Sequence, residues 1–107
     1  MLFRSKELRR IEGPQTGLND PHGIALDVKN GVIYVSNHGS YNERQKPGTG
    51  KFFPPSITAY PIKGNGNITP LRTIVGPKAQ LNWPAAMAYD PVNGDLFVAN
   101  EIGRAHV

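Results

Sequence analysis

The chain has 107 residues, 38% of them hydrophobic, with twelve Gly and ten Pro, which suits one small domain of short strands and many turns and leaves little room for helices. With no cysteine, a disulfide framework and any thiolate ligand or nucleophile are excluded. The net charge of +4 gathers at Arg4, Lys6, Arg9 and Arg10 and again at Arg44, Lys46 and Lys51, but no exposed aromatics alternate with these groups as single-stranded nucleic acid requires, so nucleic acid is not an expected partner.

Residues 8–13 read as a short strand that stops at Gly13-Pro14, followed by a loop through Asp20. The next strand, 23–27, places Ile24 and Leu26 on one face and Ala25 on the other. Asn30-Gly31 predicts a tight type I′ hairpin turn, with 32–36 as the return strand. Residues 38–55 form a polar, Gly- and Pro-rich insertion, after which a strand is predicted over 56–60. A turn around 64–67 leads to a strand over 71–75, and residues 76–83 connect onward. A further strand, an Asn93-Gly94 turn and a strand over 96–99 follow.

The last of these hairpins repeats the first. Residues 18–37 return as 81–100 at a constant offset of 63, matching Pro21 with Pro84, Asp27 with Asp90, Gly31 with Gly94 and Asn37 with Asn100. The match extends backwards, since Leu8, Arg9, Ile11, Gly13 and Pro14 return as Leu71, Arg72, Ile74, Gly76 and Pro77. Without the eighteen residues of the insertion the period is 45, within the roughly 40–50 residues of one propeller blade. The hairpin strands are apolar on both faces, which predicts a sheet stacked between two others, with Ala25 and Ala88 small enough to allow close approach. No segment is long and apolar enough to span a bilayer, and the basic first residues precede no apolar run of a secretion signal. Residues 102–107 spell what a common short-read sequencing adapter encodes, so Arg104 and His106 carry no functional weight in this reading.

The segments Pro21-His22-Gly23-Ile24-Ala25-Leu26-Asp27, Ile33-Tyr34-Val35-Ser36-Asn37 and Ser56-Ile57-Thr58-Ala59-Tyr60-Pro61, with the whole second copy, resemble the NHL-repeat class of β-propellers. The resemblance covers nearly everything from Leu8 to Asn100 and implies an all-β fold of four-stranded antiparallel blades, usually six around an axis. With strands lettered A to D from the axis outward, residues 1–13 would hold the outer strand of a preceding blade. Residues 14–75 would be one complete blade carrying the 38–55 insertion, and 76–101 the first two strands of the next. The chain is then a fragment of about one and a half blades, completed by the remaining blades of a bacterial parent expected to be secreted or periplasmic. The second copy departs from the family pattern at Ala85-Ala86, where Gly is usual.

In such a blade the B–C and D–A connections and the start of strand A emerge on one side, so His22, the insertion and the 76–83 connector share a face. The candidate ligand-binding residues there are His22, His38, Tyr41, Arg44, Phe52, Phe53 and Trp83, and no catalytic group is assigned. The ligand expected is a protein, a peptide or a carbohydrate, with no cofactor. In related amidating lyases a Pro-His-Gly motif on several blades converges on a channel zinc, and in gluconolactonase-like propellers the same position serves a divalent ion. By that resemblance His22 is a candidate metal ligand, for zinc or calcium in the parent protein, and the alternative function is a blade of a metal-dependent propeller enzyme. Asp27, Asp90, Asn37 and Asn100 recur in both copies and read as structural.

Overall fold

A computed structural model describes residues 6–41 and 51–101, with backbone alone at residues 40, 41, 51 and 52. The strands are β1 (Pro21–Asp27), β2 (Val32–Asn37), β3 (Ser40–Tyr41), β4 (Lys51–Phe52), β5 (Ser56–Pro61), β6 (Arg72–Val75), β7 (Pro84–Asp90) and β8 (Asp95–Asn100), with one 3-10 turn at Pro77–Ala79. Strands β1, β2, β5 and β6 form a four-stranded antiparallel sheet in that order, which is one propeller blade. β7 and β8 form a second antiparallel pair, and β3 with β4 a small ribbon inside the insertion. The fold is all-β, as the turn-rich composition predicts.

Three features differ from expectation. Residues 8–13 form no strand; Ile11 makes a single parallel bridge to Gly66. Its repeat counterpart, β6, pairs with β5, whereas 8–13 has no such neighbour among the described residues. Its backbone turns instead to the 64–67 loop, where Arg10 N–H donates to Asn65 Oδ1 and Gly66 N–H to the Arg10 carbonyl. The two hairpins are not two-residue I′ turns. Four residues, 28–31 and 91–94, separate the strands, and only the final glycines, Gly31 (φ 68°) and Gly94 (φ 76°), are left-handed. Asparagine stays out of that region because its side chain is engaged, Asn30 Nδ2 donating to Asp27 Oδ2 at 2.8 Å and Asn93 Nδ2 to Asp90 Oδ2 at 2.9 Å. Finally, Ala88 is exposed, so only Ala25 lies at a packed interface.

That interface joins the blade to the second hairpin. Ala25, Val32, Tyr34, Ile57 and Ala59 form the buried cluster, and Leu81, Met87, Tyr89, Leu96 and Val98 pack against it. Tyr34 and Tyr89 stack with ring centroids 5.8 Å apart, and the Arg72 guanidinium lies 5.9 Å from the Tyr34 ring centre. Ser36 Oγ donates to the Ala85 carbonyl at 2.8 Å. At Gly23 a Cβ would collide with that same carbonyl oxygen, so the backbones touch and only glycine fits. The opposite face of β1, with Ile24 and Leu26 largely exposed, is open along a shallow groove whose rim includes Leu8 and Ile11. No helix among the described residues is long and apolar enough to cross a membrane.

Two predictions follow from this packing. Gly23→Ala drives a methyl group into the Ala85 carbonyl and lowers unfolding free energy by about 1–3 kcal/mol, the usual range for overpacking; urea denaturation measures it, and an unchanged midpoint refutes the contact. The second concerns acid. Burial of Asp27 favours its protonated form, but hydrogen bonds from the Asn30 side chain and backbone and the Tyr89 hydroxyl outweigh this and hold its carboxyl below the usual range. Asp90 is also held low, chiefly by the Val92 backbone N–H and then by Asn93. Such groups stabilise the fold above the unfolded carboxylate value of about 4, and the contribution is lost as pH falls through the lower folded value. The melting temperature therefore drops on acidification, and Asp27→Asn flattens that drop; a variant with the parental acid slope would assign it elsewhere.

Candidate functional site

The site is built on a backbone corner that occurs twice. Asp20 (φ 55°) and Trp83 (φ 52°) occupy the residue before Pro21 and Pro84, and both are left-handed, which costs a non-glycine residue about 1–3 kcal/mol. The same bonds hold both corners. Asn19 N–H donates to Asn37 Oδ1 at 3.1 Å and Asn82 N–H to Asn100 Oδ1 at 2.9 Å. His38 N–H donates to the Asp20 carbonyl at 3.0 Å, and Glu101 N–H to the Trp83 carbonyl at 2.8 Å. Asn37 is fully buried, and its Nδ2 lies 3.3 Å from Ser56 Oγ and 3.0 Å from Thr58 Oγ1. In the second copy Asn100 Nδ2 donates to the Gln80 carbonyl at 3.1 Å.

On the first corner the side chains converge. β1 starts at Pro21, two residues earlier than its sequence pattern suggests, and its register against β2 shifts between Pro21 and Gly23, so His22 sits on a bulge. The His22 and His38 rings stack with centroids 3.5 Å apart and 9° between planes. His22 Nε2 is 3.1 Å from Asp20 Oδ1, within hydrogen-bonding reach, and His38 Nδ1 is 4.0 Å from Asp20 Oδ2. The ring of Trp83, a residue 45% exposed, lies 5.2 Å from the His38 ring, tilted by 37°. The His38 side chain is 3% exposed, and its Nε2 is buried with no hydrogen-bond partner among the described residues.

Blade geometry thus brings His22, His38 and Trp83 together. Phe53 lies at the foot of the ribbon, where its N–H donates to the Gly39 carbonyl at 2.7 Å; its side chain is exposed. Tyr41 and Phe52 are on β3 and β4, one residue out of register with each other, and Arg44 lies outside the described residues. Asp20 was not singled out from sequence, although an acid beside Pro-His, where the other copy carries Trp83, is a visible signal.

A family-model comparison falls on this region: residues 18–44, spanning the corner, β1, β2 and His38, match the NHL repeat. The chain carries an NHL repeat. Comparison with curated proteins and with solved structures yields no match. The matched NHL segment ends inside the insertion, so Asp20, His22 and His38 belong to the repeat, while Phe53 and Trp83 lie beyond it.

Removing the buried amide tests the corner. Asn37→Ala leaves the Asn19 N–H and two hydroxyls without their partner and costs about 1–3 kcal/mol. Asn100→Ala, at an exposed site, costs less. Chemical denaturation of both variants gives the comparison, and equal losses would show that burial does not set the strength of the clamp.

Proposed function

We infer that the chain is part of a non-enzymatic propeller scaffold that presents a ligand- or protein-binding face. The observation carrying this reading is the convergence of His22, His38 and Trp83 on one end of the blade, where the insertion begins. Trp83 offers a half-exposed aromatic face beside imidazole and carboxylate groups, a combination suited to a peptide or a carbohydrate. The insertion carries Tyr41, Arg44, Phe52 and Phe53, groups that can widen this surface. The remaining blades of a secreted or periplasmic bacterial parent would complete the channel. Such binding needs no cofactor for turnover. The alternative, a blade of a lyase or lactonase whose metal is gathered from equivalent positions of successive blades, is disfavoured by Ala85, which stands at the place of His22 in the second copy.

Glycan and peptide arrays probed with the chain test this reading. Binders found there should lose about tenfold or more in affinity with Trp83→Ala, as expected for an aromatic anchor. They should also weaken when residues 40–53 are replaced by a short Gly-Ser turn. Retention of full binding by both variants, with the fold intact, would remove the binding face from this end of the blade.

A further inference from the structure

We propose that Asp20, His22 and His38 form a divalent-metal site within a single blade, selective for zinc or a similar borderline ion over calcium. One ligand atom from each residue lies within 4.8 Å of the others. The donor set is two imidazole nitrogens and one carboxylate oxygen, the set that zinc takes when three protein ligands leave a fourth position open. Calcium requires six to eight oxygens and finds one carboxylate here.

The site differs in kind from one assembled across blades. Its ligands come from one corner and the two ends of the β1–β2 hairpin, joined by the bond from His38 N–H to the Asp20 carbonyl. In the second copy the equivalent positions hold Trp83, Ala85 and Glu101, so that corner has one possible ligand and no histidine. A further observation points to a ligand at the first corner, where the left-handed backbone that Asp20 shares with Trp83 sets a carboxylate beside both rings. His38 buries an imidazole whose Nε2 has no partner among the described residues, an arrangement with a desolvation cost that is offset when Nε2 is the nitrogen that takes the ion.

Ligation makes a definite demand on the geometry. Imidazole lone pairs lie in the ring plane, so two rings only 9° from parallel cannot both address one ion until they splay. His22, with its side chain 40% exposed, is the ring free to turn, while His38 is fixed by burial. Zinc binding therefore unstacks the pair. The open fourth position is available to a donor atom of a bound ligand, which would deepen the binding face without making it catalytic.

The test uses the untagged 107-residue chain stripped with EDTA and titrated with ZnCl2 by calorimetry, and with CoCl2 for the visible bands of a four-coordinate cobalt site. The expected result is one zinc per chain, a zinc absorption-edge spectrum with two imidazoles and at least one further oxygen, and a change in the emission of the one tryptophan, Trp83. Asp20→Asn and His22→Ala, both at partly exposed side chains, should each weaken zinc by at least the roughly 10–100-fold that loss of even an outer partner costs. His106→Ala should change nothing, which excludes the other histidine of the chain. No stoichiometric zinc, or zinc held equally well by His22→Ala with its circular dichroism unchanged, overturns the assignment. Because His38→Ala can unfold a buried position, the decision rests on the other two variants and on the absorption spectrum. Array binding that survives EDTA while zinc fails to bind would sink this inference and leave the binding-face reading standing.

Discussion

The amide of Asn37 is the constraint from which the rest of this end of the molecule follows. It is fully buried at the end of β2, receives the Asn19 N–H and reaches across to the hydroxyls of β5. One side chain thereby ties the loop entering β1 to the second and third strands of the blade. A neutral amide suits the task because it donates and accepts at once, and inside the protein each of those bonds is stronger than in water. With the loop held down, Asp20 is forced into a left-handed corner, β1 begins on a bulge, and His22 is delivered onto His38.

Stacking of the second hairpin supplies the other half of the architecture. The blade has no bulky wedge between β1 and β7; it has Gly23 against a carbonyl oxygen, with the Ser36 hydroxyl bonded to that same oxygen. Further along the same strands the tyrosines take over, Tyr34 on Tyr89, with the Tyr89 hydroxyl bonded to Asp27. The same contact brings Trp83, the residue before β7, next to His38.

Much of this was legible in the residues. Short runs bounded by turn residues located β1, β2, β5 and β7, because a strand with close partners in sequence forms in place. The run at 8–13, the counterpart of β6 in the repeat, forms no strand, since strand formation is decided by an available edge as much as by the run itself. The Asn-Gly pairs announced turns correctly but not their type; Asp27 and Asp90 capture the asparagine side chains and draw out a four-residue turn. Connectivity alone placed His22, His38 and Trp83 on one side. It did not reveal Asp20, because a left-handed residue before proline contradicts local preference and arises only from the Asn37 clamp.

The two corners share a backbone and differ in what they carry, and this separates shape from chemistry in the repeat. Asn37 and Asn100, Asp27 and Asp90, Gly31 and Gly94 keep the shape, while the triplets Asp20, His22, His38 and Trp83, Ala85, Glu101 differ upon it. The corner is thus a three-residue address whose occupants differ between the two copies while the strands behind them pair alike. A ring built from such units would carry a differently spelled corner on each, over one common backbone.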